Sequence, residues 1–193
     1  SAIERGHVLV QSHTFTPTRL LDAYLEYLPD VPRPLKHRAR QRFHIGTTLT
    51  NTAIFLLDHE EMSPGESGFV QLSLDRPVVA SPQDRFVIRG SGVIQTLGGG
   101  VILDTHPVKH RRHSPQVIEN LMILKDGNGE QVLGQHILRS GVAGISFGDL
   151  LNRVHLPPKE VQSLLKKMKE KADLLILDPE KMKVIEMGQY HQL

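Results

Sequence analysis

The sequence contains no cysteine, which removes disulfides and thiolate metal sites and fits a reducing, cytoplasmic compartment. No apolar run is long enough to cross a bilayer, so no membrane partner is expected. The start, Ser1-Ala2-Ile3-Glu4-Arg5-Gly6, lacks the positive-then-apolar layout of a signal peptide. A large excess of either charge is absent too. A net charge of +2 is too small to demand a nucleic-acid partner, so the placement of the positive groups is what matters. Enzyme motifs are missing as well: no GxxxxGK[ST] phosphate loop, no dinucleotide fingerprint, no HExxH and no serine nucleophile elbow. Gly98-Gly99-Gly100 runs into Val101-Ile102-Leu103, which reads as strand and supplies no helix N-terminus for a phosphate. Glycine there fits a tight bend or close backbone approach. What is present, 39% hydrophobic and 23% charged residues in 193, suits a soluble globular protein of one ordinary domain or two small ones.

Up to about Asp104 the pattern is β. Runs rich in Val, Ile, Leu, Phe and Thr fall at 20–28, 42–48, 52–58, 68–74, 85–89 and 101–104. Ser63-Pro64-Gly65, Ser81-Pro82-Gln83-Asp84 and the glycine-rich 90–100 region mark turns between them. Short runs without helical period predict a small antiparallel barrel or sandwich. The polar stretch His106-Pro-Val-Lys-His-Arg-Arg-His113 then reads as a solvated basic linker.

Beyond it the period becomes helical. Ser114-Pro115 gives an N-cap with proline at the first helical position, and the helix stops at Asp126-Gly127. Further helices are expected over 130–139, 146–154 and 159–172, with Val161, Leu164, Leu165 and Met168 on one side of the last and lysines on the other. Leu174–Leu177 and Met182–Ile185, joined by Asp178-Pro179-Glu180-Lys181, predict a hairpin. Helix, helix, turn, helix and hairpin is the order of a winged helix.

Three polar groupings are candidates for chemistry. His106, His110 and His113 have a spacing that suits metal ligation on a helix, but Pro107, Arg111 and Arg112 oppose both the helix and a divalent cation, so no metal is expected. A stretch that touches phosphate through Lys109, Arg111 and Arg112 fits better. In Lys36–His44, Phe43 and Ile45 alternate with Arg42 and His44, so the apolar pair points into the barrel and the polar pair outward. The outward face reads equally as a reader of a sugar-phosphate backbone or as a charged edge that prevents aggregation. Lys166 and Lys167 on the last helix could meet an acidic backbone. However, residues 115–193 hold ten basic and ten acidic groups, and a mixed-charge solvent face accounts for them more simply.

Several stretches in order resemble the last β-barrel domain of elongation-factor-Tu-like translational GTPases. They are Glu4-Arg5-Gly6-His7-Val8-Leu9, Arg40-Gln41-Arg42-Phe43-His44-Ile45-Gly46-Thr47, Met62-Ser63-Pro64-Gly65 leading into Gln71-Leu72-Ser73-Leu74, Asp84–Arg89, and Thr96–Asp104. The strand end His44-Ile45-Gly46-Thr47 and the continuation into a winged helix resemble the selenocysteine-specific elongation factor family. The resemblance implies an all-β barrel followed by a winged-helix α+β domain. It divides the chain into the end of a preceding barrel (1–10), the barrel (11–105), a basic linker (106–114) and the winged helix (115–193). It also implies a factor that delivers selenocysteinyl-tRNA to the ribosome, with GTP and magnesium held in a domain upstream and an mRNA hairpin gripped by winged helices downstream. This segment itself would hold no catalytic group and no cofactor. Arg40 matches a tRNA-contacting arginine of the related general factor. Gly90 and Ser91 match a loop approaching the T-stem, although the loop sequence here departs from the family's. Arg38, Arg42, His44 and Arg89 are added from charge and strand position. The rival readings are a winged-helix DNA-binding regulator and a purely structural spacer arm.

Overall fold

The computed structural model describes residues 8, 15–90, 95–171, 174–178 and 183–186. By internal packing the chain forms two units, Ser1–Leu121 and Met122–Leu193.

The first unit contains β1 (Thr18–Tyr27), β2 (Leu35–Lys36), β3 (Ala39–Ile45), β4 (Thr48–Leu56), β5 (Glu61–Met62), β6 (Ser67–Val78), β7 (Arg85–Arg89) and β8 (Thr96–Asp104). Six of these strands close a barrel in the order β1-β6-β4-β3-β7-β8, and every pair is antiparallel. Closure removes the exposed edges that an open sheet leaves. The period-2 alternation fills the interior: Leu21, Ala23 and Leu25 from β1, Phe43 and Ile45 from β3, Ile54 and Leu56 from β4, Val70 and Leu72 from β6, and Phe86 and Ile88 from β7 are all buried. Phe43 and Phe86 stack with ring centroids 5.4 Å apart. The ribbon β2–β5, which the sequence did not signal, adds Leu35 and Met62 to the same core.

The glycines of β8 explain how β1 and β7 can flank it. A Cβ on Gly98 would sit 2.4 Å from Glu26 O, one on Gly99 2.6 Å from Phe86 O, and one on Gly100 1.9 Å from Tyr24 O. The close backbone approach expected of this triplet is therefore what the barrel seam uses.

Most strand boundaries move by a few residues from expectation: β8 begins at Thr96, five residues early, and β6 ends four residues late. β6 runs on to Val78, because the register with β1 jumps from Leu20↔Ser73 to Thr18↔Val78. Residues 74–77 on β6 thus face a single residue on β1, a bulge that turns Asp75 and Arg76 out to solvent.

Residues 106–113, expected to be a solvated linker, form a strap bonded to the barrel wall. Their contacts are described below.

The helix α1 (Pro115–Asp126) spans the unit boundary. In the second unit α2 (Gly129–Arg139) begins with a reciprocal cap, in which Asn128 Oδ1 accepts from Gln131 N and Gln131 Oε1 accepts from Asn128 N. A short 3₁₀ turn, Gly141–Ala143, leads to α3 (Phe147–Arg153), capped by Ser146. The helix α4 (Pro158–Glu170) starts with proline at its first position, which already has the helical φ. β9 (Leu174–Asp178) and β10 (Lys183–Glu186) pair antiparallel, and Ile145 bridges to Val184 as a short third strand. Leu133, Ile137, Leu150, Val161, Leu165, Met168 and Val184 form the core. This is the winged-helix arrangement that the order of elements predicted. The turn 179–182 of the hairpin lies outside the described residues.

Candidate nucleic-acid interface

Barrel closure places the outward side chains of β7, β3 and β4 side by side. Because Phe43 and Ile45 point inward, Arg40, Arg42 and His44 must point out. The register then sets their neighbours: Arg42 lies opposite Arg89 on β7 and Asn51 on β4, and His44 lies between Val87 and Leu49. Two like charges at directly paired positions destabilise a sheet unless an anion compensates them. Among the described residues neither Arg42 nor Arg89 has a carboxylate within ion-pair distance.

Arg42 also lines a polar cleft of about 370 Å³ with Leu49, Thr50, Asn51, Asp75 and Arg76. Its wall is tied together by Arg76 N donating to Thr50 Oγ1 at 3.2 Å. Arg76 is a basic group of this face that sequence reasoning missed. The bulge at 74–77 brings it there, and a pattern that ends the strand at Leu74 assigns it to a loop.

Arg40 behaves differently from Arg42. Its Nη2 donates to both Asp75 oxygens at 2.7 Å, so its charge is balanced within the protein. Arg38 sits at the β2–β3 turn with φ 65°, and its guanidinium lies 5.8 Å from the centre of the Phe55 ring, within cation–π range. His37 meets the same ring edge-on, with centroids 5.5 Å apart. Its imidazole is held below the usual histidine range, first by burial and then by the charges of Arg112 and Arg38. Gly90 closes the loop after β7 through its N–H to Gln95 O at 3.0 Å. Ser91, the remaining position of that expectation, lies outside the described residues, as does all of Glu4–Leu9 except Val8.

Of the 106–113 residues, Lys109 and Arg111 are exposed. Arg112 turns inward and donates to Leu56 O at 3.2 Å, His59 O at 2.9 Å and Glu60 Oε2 at 3.1 Å. These bonds hold the Glu60 carboxyl below its usual range. In the second unit, Lys167 and Lys171 both donate to Glu130 of α2, which lowers that carboxyl in turn, while Lys166 is exposed. One of the two lysines proposed for α4 is therefore already balanced by an acid. No cluster of three or more metal-ligating side chains occurs among the described residues.

A basic outer face on a closed barrel that precedes a winged helix is the combination against which known proteins can be compared. Residues 24–109 match the family model for the selenocysteine-specific elongation factor β-barrel domain. The chain belongs to the selenocysteine-specific elongation factor family. It is also similar to a selenocysteine-specific elongation factor from Desulfomicrobium baculatum, 33% identical over 148 residues, which cover 77% of this chain and 23% of that protein. A match of that length exceeds the 121 residues of the first unit, so it reaches into the winged helix. The family's barrel thus occurs here with the second unit attached.

Proposed function

We propose that this chain is the part of a GTP-dependent elongation factor that lays its barrel against the phosphate backbone of selenocysteinyl-tRNA and carries the arm toward mRNA-hairpin-binding domains. In this reading GTP and magnesium belong to a domain outside the chain, and the ribosome is the site of delivery. The relative's name and the family model support the factor. The observation that carries the RNA contact is the register pair Arg42↔Arg89, two uncompensated guanidiniums held side by side with Arg76 across a polar cleft from Arg42. Guanidinium suits this role because its planar fork binds phosphate oxygens through two donors. Such contacts position an RNA without reading its bases.

The test is the salt dependence of tRNA binding by this chain. Arg42→Ala and Arg89→Ala should each lower the slope of log K against log salt by about 0.7 to 0.9, the loss of one phosphate contact. If both leave affinity and slope unchanged, the face is a solvated edge and the RNA reading is wrong.

A further inference from the structure

Residues 105–113 leave β8 and cross the outside of β1, β6 and β4 in turn. Asp104 Oδ1 accepts from His106 N at 2.8 Å. Gln71 of β6 donates to Val108 O at 2.9 Å and accepts from His110 N at 3.4 Å. His110 Nε2 lies 2.6 Å from Asp22 Oδ2 of β1, and Gln71 Nε2 holds the other Asp22 oxygen at 2.8 Å. Finally Arg112 bonds to Leu56 O, and His113 N donates to Leu57 O at 2.8 Å. Asp22 occupies an outward position of β1, since Leu21 and Ala23 face the core, yet the strap leaves it 0% exposed.

Burying that carboxylate is unfavourable. Burial raises its pKa, the neighbouring Asp104 adds to the rise, and His110 and Gln71 oppose it. The bonds that hold this buried acid also fix the path of the strap. Along that path His110 and Arg112 bond to the barrel while Lys109 and Arg111 are exposed. Residues two apart along a chain have Cα atoms no more than about 7 Å from each other, so the two cations start close together. Among the described residues neither Lys109 nor Arg111 has a carboxylate partner.

We propose that the strap is a preorganised phosphate-contact element, in which Lys109 and Arg111 bind neighbouring phosphates of an RNA strand while His110 and Asp22 act as positioning residues that hold the strap to the barrel. It rests on the reading that the barrel binds an RNA backbone. Holding the backbone in advance removes ordering cost from the binding step. Proximity favours the same ligand for strap and barrel: Arg112 donates to Leu56 O, and both Arg112 and Arg38 lie close enough to His37 to lower its pKa, so the strap ends near the β2–β3 turn where the basic strip begins.

The experiment measures binding of a tRNA transcript to the whole chain across a salt series. Lys109→Ala/Arg111→Ala should lower the salt slope by about 1.4 to 1.8, two contacts' worth. His110→Gln keeps both cations and should weaken binding while speeding hydrogen exchange of the 110 and 113 amides. In the Lys109→Ala/Arg111→Ala background, His110→Gln should weaken binding no further, because its effect passes through those two side chains. If the double variant retains the full slope while Arg42→Ala lowers it, the strap proposal is overturned and the barrel face stands. If no form binds tRNA, or if Arg42→Ala also changes nothing, the functional reading fails and the strap proposal falls with it. A His110→Gln effect of equal size with and without the two cations would make the lock purely structural and overturn its positioning role.

Discussion

Substituting Gly100 by alanine tests whether the β8 glycines are required by the seam. The added Cβ would fall 1.9 Å from Tyr24 O, where real Cβ atoms keep about 3.0 Å or more. Strands β1 and β8 would have to part locally by about 1.1 Å, which carries ladder bonds of about 2.9 Å out of hydrogen-bonding range. The register around the site, Tyr24↔Val101, Leu25↔Gly100 and Glu26↔Gly99, puts two or three such bonds at stake. Each contributes about 1 kcal/mol net, and a buried group left unpaired costs about 1–3 kcal/mol, so Gly100→Ala should destabilise the barrel by about 3–5 kcal/mol. Gly134→Ala is the matched control. Gly134 lies inside α2, where a Cβ would meet only the Met168 methyl at an ordinary 3.6 Å. Alanine there should stabilise the second unit by about 0.5–1 kcal/mol through helix propensity. Hydrogen exchange followed by peptide separates the two units. Gly100→Ala should speed exchange in β1 and β8 by about two to three and a half powers of ten, given about 1.4 kcal/mol per tenfold, and Gly134→Ala should slow it in α2. A Gly100→Ala chain within about 1 kcal/mol of the parent would refute the account of the seam.

Two other expectations follow from the charges. Asp75→Asn frees Arg40 from its ion pair, so tRNA binding should tighten and its salt slope rise by about 0.7 to 0.9; an unchanged slope would show that Arg40 does not face the RNA. Asp22 gives the pH dependence: its folded carboxyl is raised above the ordinary 3.8, so the native state holds that proton more tightly than the unfolded chain. Its contribution is fully present below that value and is lost as pH rises through the folded pKa. The stability of the parent chain relative to Asp22→Asn should therefore fall from about pH 4 upward, measured by urea unfolding at a series of pH values, and a difference that stays constant with pH would contradict the burial argument.

The parts of the fold set by local pattern were readable. Alternation at 42–45 placed Phe43 inside and Arg42 outside, Arg85–Arg89 was bounded as β7 is observed, and the helix expected over 146–154 is α3 to within one residue at each end. What pattern could not show were features created by register between distant strands. The Asp75–Arg76 bulge exists because β1 and β6 slip by several residues between Leu20 and Thr18, and nothing within Gln71–Val78 announces a partner some fifty residues earlier. The same holds for the strap. His106–His113 looked like a solvated linker because its residues are polar, but Asp22 and Gln71, which hold it, sit in stretches that read as ordinary strand.

The two kinds of basic group also differ in how the protein balances them. Arg40, Arg112, Lys167 and Lys171 each meet a carboxylate supplied by the chain. Composition counts these equally with Arg42, Arg89, Lys109 and Arg111, which is why a net charge of +2 carried so little information about partners. Among the described residues, the cations left without a carboxylate partner include Arg42 and Arg89 on the β3–β7 face, Arg76 at the 74–77 bulge, and Lys109 and Arg111 on the strap. A fold that places Arg42 opposite Arg89 accepts a repulsion that either residue alone would avoid. Replacing one of them by glutamine should therefore stabilise the free barrel slightly while weakening its hold on RNA, the opposite signs expected where charge is kept for a ligand and not for the fold.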